Sequence, residues 1–417
     1  MSNREIIEEL RKQIEDILRQ YDTPGLTNHD KQPGASEGVS SRGCSAYPDI
    51  KPQVARKKGF TIHTTVYSAG ANEWLHPTPL EIILPLLCYE DSGLASDGEV
   101  IFLDIETTGL SGAGTVAFLT GLGKWTDDGF EIAQFFLEDR DSEPDMLKAI
   151  GTQIAGAQVL VTFNGKSFDL PVLQTRFIMN GMPDLAPETE NKTHLDLYSV
   201  ARKLGRHPFY GMSLKDCAER FPGIRRFDDI PGRMIPALYF MYERDHDISV
   251  LSQVFSHNRL DILDMVVLLK YAEHLFTKGY EFCHDPSALA GIGKFYMAHG
   301  DMEIAGRFLQ AAVNDVLPAQ SETTAANSRL LATVLRKQGE WDKAASIWSS
   351  LINSRYARYE DYLWLARYYE LRLNDIDTSF RIVLDCIEHC RQSGISIPEP
   401  VSSRKRRLAR IISGLHS

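Results

Sequence analysis

The sequence predicts two folds in series: an α/β domain with a mixed sheet flanked by helices, then an all-α domain of helical repeats. Three observations predict it. The run Val100-Ile101-Phe102-Leu103 is β-branched and aromatic with no polar alternation, as in a strand covered on both faces. From about 98 to 275, runs of this kind are interleaved with helical periodicity. From 286 onward the pattern is helical throughout and repeats itself. A chain of 417 residues is also too long for one ordinary domain.

The elements follow in order. Residues 1–22 read as a charged amphipathic helix, without the unbroken apolar core of a signal peptide. Residues 23–58 are rich in Gly, Ser, Pro, Asp and Lys and read as a mobile linker, so that 1–58 forms an N-terminal helix and linker. The segment 59–97 carries short apolar runs such as "PLEIILPLLCYE" and is expected to pack on the domain that follows. That α/β domain is expected over 98–278. Its strands are expected at 99–106, 115–125 and 130–137, the last two forming a hairpin around Asp127-Asp128-Gly129. A helix at about 143–156 has Ser142 as its candidate cap. The short strand "QVLVTF" comes next, then helices from about 167, at 197–204, at 213–221 and from about 246 to 275.

The repeat domain is expected over 286–417. "IGKFYMAHGDMEIAGRFLQAAV" aligns with "LATVLRKQGEWDKAASIWSSLI", matching Gly300 with Gly339, Ala305 with Ala344 and Phe308 with Ile347. A looser third copy is "LARYYELRLNDIDTSFRIVLDCI". Each copy reads as helix, tight turn, helix, with a small residue where the two helices touch. The spacing, 39 residues and then about 35, resembles tetratricopeptide-like repeats, which stack into a solenoid with a concave face.

A net charge of -11 argues against a protein that coats nucleic acid non-specifically, though not against one that grips a strand end in a local groove. No apolar stretch is long enough to span a bilayer, so no membrane association is expected. Six cysteines are sparse, and no further Cys/His pair near Cys386 and Cys390 completes a zinc set. Reduced thiols in a cytoplasmic protein are the expectation. The basic cluster Arg404-Lys405-Arg406-Arg407 with Arg410 reads as a solvated helix face, with a nucleic-acid contact as the other reading.

Chemistry enters at Asp104 and Glu106. Two apart on a strand, they share one face and repel each other unless a cation or a proton intervenes. The doublet alone also suits a strand that frays into water. "VLVTFNGKSFDLPVL" adds Asp169 near a helix start, and "FSHNRLDILDMVVL" puts His257 and Asp261 four apart on one helix face, with Asp264 three further on. Asp104, Glu106, Asp169 and Asp261 lie on three elements that can be gathered around one point. Hard cations such as Mg²⁺ or Mn²⁺ take oxygen ligands, and two of them about 3.5–4 Å apart suit such a set. His257 is then placed to orient or deprotonate a nucleophilic water.

These residues carry a resemblance. "FLDIETTGL", "FNGKSFDLPVL" and "HNRLDILD" resemble, in order, the three exonuclease motifs of the DEDD superfamily, whose fold is ribonuclease-H-like. "THLDLYSVARKLG", "GMSLKDCAERF" and "DDIPGRMIPALYFMYERD" are similar to the bacterial YprB-like group of ribonuclease-H-like proteins, whose members tend to end in a tetratricopeptide-like tail. The resemblance covers roughly 60–417, most specifically 100–265. It implies metal-dependent 3′-to-5′ exonuclease activity on single-stranded nucleic acid ends, DNA or RNA, and a protein partner on the helical repeats. One departure stands out. The superfamily's tyrosine branch has Tyr four before the last Asp and its histidine branch has His five before it; here His257 stands four before Asp261.

The remaining candidates have plainer readings beside the functional ones. Thr107 and Gly109 would let the backbone approach a terminal nucleotide, or simply end the strand in a turn. Asn164 would hydrogen-bond substrate or cap the helix that holds Asp169. Phe168 would lie under a base or in the core. Asp196 is a supporting acid or a strand-end acid, and Lys166 and Lys215 are phosphate contacts or ordinary surface lysines. The rival to an exonuclease is an adaptor whose nuclease-like domain cuts weakly and whose repeats recruit a protein. A narrower variant trims only short oligonucleotides.

Overall fold

A computed structural model describes residues 50–68, 73–78, 99–109, 112, 114–185, 193–204, 213–218, 226, 229–283, 285–313 and 321–415. The expected first helix and most of the expected linker lie outside them. The chain divides into two compact units, residues 1–198 with 211–271, and residues 199–210 with 272–417.

The first unit holds a seven-stranded sheet. Its strands are β1 (Gln53–Arg56), β2 (Phe60–Tyr67), β3 (Val100–Thr107), β4 (Ala117–Thr126), β5 (Gly129–Leu137), β6 (Val159–Thr162) and β7 (Thr193–Asp196), in the order β1-β2-β5-β4-β3-β6-β7. β1 to β3 pair antiparallel along this order, while β3-β6-β7 pair parallel, so the sheet is mixed as expected. The β4–β5 hairpin turns at Asp127-Asp128, and Gly129 takes φ +135°, a value that favours glycine. The start of the domain differs from the expectation. β1 uses the last residues of the supposed linker, and β2 pairs along its full length with β5, from Phe60↔Leu137 to Tyr67↔Phe130. All four residues of β1 are exposed; it joins the sheet through its backbone, which composition does not report.

The helices of this unit are α1 (Glu143–Ala155), α2 (Asp169–Met179), α3 (Leu197–Leu204), which crosses into the second unit, α4 (Leu214–Ala218), α5 (Ile235–Asp245) and α6 (Ser252–Lys278), which also continues into the second unit. Ser142 stands at the cap position of α1 but makes no capping bond; its hydroxyl lies against Gly59. α6 starts later than 246 because Asp247 first caps a 3-10 turn, Ile248–Leu251, accepting the Ser249 N–H at 2.9 Å. α5 was not among the expected helices. It packs Tyr239 in a stack on Phe118 (centroids 4.0 Å apart) and buries Leu238 and Tyr242 in the same core. That core includes Ile101, Leu103 and Ile105, the face of β3 opposite to Asp104 and Glu106.

The second unit is helical. Among its described residues it contains α7 (Pro286–Ala298), α8 (Met302–Val313), α9 (Glu322–Lys337), α10 (Trp341–Ile352), α11 (Tyr359–Leu371), α12 (Ile376–Gln392) and α13 (Glu399–Leu415). Gly300, Gly339 and Asn374 turn the chain within the three successive pairs with φ of +84°, +86° and +52°. Five residues after each come Ala305, Ala344 and Ser379, all fully buried. The third copy thus keeps the rule with a polar residue, whose hydroxyl is satisfied by the Ala366 carbonyl at 2.9 Å.

Candidate active site

Sheet register brings Asp104, Gly121 and Gln134 into one row across β3, β4 and β5. Over that row lies α6. Asn258, fully buried on α6, donates from Nδ2 to Asp104 Oδ2 at 2.8 Å and to the Asp104 carbonyl at 3.2 Å. Gln134 Nε2 donates to Asn258 Oδ1 at 2.8 Å. A Cβ at Gly121 would stand 2.4 Å from that same Oδ1 and 2.5 Å from Ile262 Cδ1, so the missing side chain is what lets the helix descend onto the sheet. The alternation expected for Asp104 and Glu106 therefore has a cause: their face is the one covered by α6.

Asp169 reaches the same place from α2. The β3–β6 ladder ends at Phe102↔Val161, which leaves the Ile105 N–H beyond it. Asp169 Oδ1 accepts that N–H at 3.2 Å. A buried backbone donor is thus satisfied by an acid at a helix N-terminus.

α6 supplies Asp261 and His257. His257 Nδ1 is 2.6 Å from Asp229 Oδ1, and its Nε2 is 3.6 Å from Asp261 Oδ2. Asp229 is held below the usual carboxylate range: burial works against this, but the His257 hydrogen bond and the charges of His257 and Arg226 outweigh it. An ionised carboxylate only accepts, so the Nδ1 proton lies toward Asp229 and Nε2 faces Asp261. Arg226 completes the constellation. Its Nη2 stands 2.5 Å from Asp261 Oδ1 and 2.6 Å from Asp264 Oδ2, and its Nη1 donates to Asp229 Oδ2 at 3.3 Å.

The electrostatics join these groups. Burial pushes Asp104 well above the carboxylate range, and the charges of Asp261, Glu106 and Asp169 push it further, against the Asn258 hydrogen bond. Glu106 is pushed up to about 8, by burial first; the His257 charge opposes this and Asp261, Asp169 and Asp229 add to it. Asp169 is pushed up to about 7, burial outweighing its two backbone hydrogen bonds, with Asp261 and Asp196 adding. For His257 burial acts downward, yet the Asp229 hydrogen bond and the charges of Asp261, Glu106 and Asp229 raise it to about 9. Glu106 Oε1 is buried and finds no hydrogen-bond partner among the described residues.

A hard divalent cation fits this donor set. The donors are all carboxylate oxygens, the charges of Asp261 and Asp169 raise both Asp104 and Glu106, and one buried oxygen lacks a hydrogen-bond partner among the described residues. Among the described residues no three acid, histidine or cysteine side chains already enclose an ion position. Asp261 is instead held by Arg226 and faces His257.

Beside Asp104 and Asp261 opens a cavity of about 480 Å³, lined also by Phe163, Asn164, Tyr198, Ser213 and Leu214. Phe163 and Tyr198 meet edge to face with centroids 5.6 Å apart. Asn164 has a left-handed backbone (φ +64°), and its N–H donates to Asp196 Oδ1 at 2.8 Å, which also accepts the Tyr198 N–H at 3.0 Å. Asn164 does not cap α2, where Phe168 holds the cap position without any capping bond. Phe168 is half-buried and is not one of the residues lining the cavity. Thr107 donates its hydroxyl to the Gly109 carbonyl at 2.7 Å, a strand-end turn. Asp264 is fully buried on Arg226, turned away from any substrate role. Lys215 lies 3.9 Å from Asp229, and Lys166 is exposed.

Sequence reasoning missed Asp229, Arg226, Asn258 and the Phe163–Tyr198 pair. Asn258 adjoins His257 and could have been found by asking what faces Gly121. Asp229 and Arg226 come from a part of the sequence with no hydrophobic periodicity to place them.

Residues 101–273 match a family model described as the RNase_H superfamily. The chain is 29% identical over 349 residues to "Uncharacterized protein YprB" of Bacillus subtilis (strain 168), a match spanning 80% of this chain and 81% of that one. Among solved structures it is similar to the family B DNA polymerase of Pyrobaculum calidifontis, at 17% identity and a TM-score of 0.33. That likeness covers 58% of this chain and 29% of the polymerase.

Proposed function

Residues 101–273 form a ribonuclease-H-like domain, and from that premise we propose that the chain is a metal-dependent nuclease that shortens single-stranded nucleic acid from its 3′ end. The observation that carries this reading is the carboxylate cluster of Asp104, Glu106, Asp169 and Asp261 beside a cavity, in which burial and the neighbouring charges raise the first three above the usual carboxylate range. A structural role gives no reason to gather Asp104, Glu106 and Asp169 with no basic partner in an ion pair with any of them among the described residues. These four residues would hold Mg²⁺ or Mn²⁺, two ions in the full reading, which when bound offset the charge developing at phosphorus and acidify the attacking water. The chain's own groups do the rest. Asp229 holds the His257 ring through Nδ1 and leaves Nε2 directed at Asp261. While the carboxylates are uncompensated His257 is protonated at neutral pH; once their charge is balanced, Nε2 is free to accept a proton from water. Asn258 fixes the Asp104 carboxylate, and Asn164 lines the cavity where a terminal nucleotide would lie.

A specific observation supports the second reading, a weakly cutting adaptor: Arg226 already neutralises Asp261. One experiment separates the two. End-labelled single-stranded DNA and RNA are incubated with Mg²⁺ or Mn²⁺, wild type against Asp104→Asn. A ladder shortening from the 3′ end, lost in the variant and with EDTA, is expected. Intact substrate under both metals would leave the adaptor.

A further inference from the structure

One guanidinium, that of Arg226, meets three carboxylates at once with its side chain only 2% exposed. Its Nε donates to Asp264 Oδ2 at 2.7 Å and its Nη1 to Asp229 Oδ2 at 3.3 Å, while Nη2 lies 2.5 Å from Asp261 Oδ1 and 2.6 Å from Asp264 Oδ2. The three acids are placed differently. Asp264 is fully buried and is not among the residues lining the cavity. Asp229 lies against His257 Nδ1 at 2.6 Å. Asp261 lines the cavity. Balancing Asp264 alone would need one cation, and a single ammonium would serve. Reaching three carboxylates needs a planar fork with N–H groups on several edges, which only arginine has.

Asp264 keeps the guanidinium in place. If Arg226 swung out, Asp264 would lose this cation while still buried, and a charge left so is costly. Lys215 offers no substitute: its side chain is 39% exposed, it stands 3.9 Å from Asp229, and among the described residues it pairs with neither Asp261 nor Asp264. With Arg226 on Oδ1, Oδ2 of Asp261 is the oxygen left for a cation, and Oδ2 is also the oxygen 3.6 Å from His257 Nε2. Asp229 repeats the pattern, with Arg226 on Oδ2 and His257 on Oδ1. The same guanidinium therefore sets the Asp261 carboxylate and, through Asp229, the imidazole that faces it. Two of its nitrogens lie on Asp264, so its charge is met there first and Asp261 keeps charge to offer.

We propose that Arg226 is a positioning residue: it presents Asp261 Oδ2 to a divalent cation and, through Asp229, turns His257 Nε2 toward that same oxygen, which sets the proton acceptor beside the cation. The proposal rests on the carboxylate cluster holding a cation, as the nuclease reading requires. Arg226 is not among the residues lining the cavity, so it acts through these two acids.

The test compares the full wild-type chain with Arg226→Lys, which keeps a cation for Asp264 but loses the fork, and with Asp264→Asn, which keeps the shape of the anchor and removes its charge. Two readouts are taken. Mn²⁺ affinity is measured without substrate, from the electron paramagnetic resonance of free Mn²⁺. Steady-state cleavage of a labelled single-stranded oligomer gives kcat and KM. Arg226→Lys should weaken Mn²⁺ binding and lower kcat, each about 10–100-fold, with KM little altered. Asp264→Asn should move both in the same direction by less, and it carries the test if Arg226→Lys does not fold. A purely structural arginine would lower the thermal midpoint of the variants and leave the Mn²⁺ affinity of the folded chain unchanged. That result overturns the proposal, whether or not the oligomer is cut, and leaves the nuclease reading standing. A wild-type chain that binds no Mn²⁺ overturns both.

Discussion

Asp104 and Glu106 could be paired from the sequence because a strand's period is two and does not depend on what lies around it. Asp229 could not. It acts on His257 across 28 positions, and no local pattern encodes that contact. Its place predicts its effect. Asp229→Asn keeps the size of the side chain and removes the charge that holds the Nδ1 proton. If the site cuts phosphodiesters, turnover should fall about 10–100-fold, with KM little altered, as for other groups that orient a catalytic neighbour. Steady-state cleavage of a labelled oligomer reads both constants. A rate equal to wild type would mean that His257 takes no part in the reaction. The same contact bears on the unusual four-residue spacing of His257 and Asp261: both side chains do lie on one face of α6, with Nε2 and Oδ2 3.6 Å apart.

Elements were legible where their periodicity was strong. The first two helix pairs of the second unit are marked by Gly300 and Gly339, and the hairpin by Asp127-Asp128-Gly129. β1 lies in a stretch whose Gly, Ser and Pro content reads as a linker, and β2 in the segment read as short apolar runs, although "FTIHTTVY" is dense in β-branched residues. α5 begins after Pro231 with Pro236 in its first turn, a start signal that the sequence carries. The approach of α6 to the sheet was invisible in either element alone, since it depends on β4 carrying no side chain at Gly121 and Gly123. Both glycines would set a Cβ within 2.5 Å of Ile262. Gly121→Ala should therefore displace α6, break the Asn258–Asp104 hydrogen bond and destabilise the first unit by about 1–3 kcal/mol. Urea unfolding measures it. A stability within error of wild type would show that Asn258 and Ile262 move aside without cost.

At the scale of the whole molecule, a chain of net charge -11 buries several of its acids in one place. Three of them, Asp104, Glu106 and Asp169, have pKa values above their unfolded ones, the last two at about 8 and 7. A raised folded pKa means that the folded chain holds more protons than the unfolded one, so stability falls as pH rises. The contribution is fully present below about pH 4, where these carboxyls are protonated in both states, and is lost as pH rises through 7 and 8. In EDTA, then, the thermal midpoint should decline from pH 5 to pH 9. Divalent cations would reverse this, because they favour the ionised carboxylates of the folded chain. At a hundredfold excess over Kd, one bound ion adds about 2.7 kcal/mol, and its effect should be largest at the alkaline end, where no proton competes. Midpoints measured across this range with EDTA, Mg²⁺ and Mn²⁺ give the answer without any substrate. Parallel curves with and without metal would mean that the cluster holds no cation, and the nuclease proposal would lose its chemical basis. Curves that converge at pH 5 and separate steadily above pH 7 are expected, since only there do the acids need a counter-charge to remain buried.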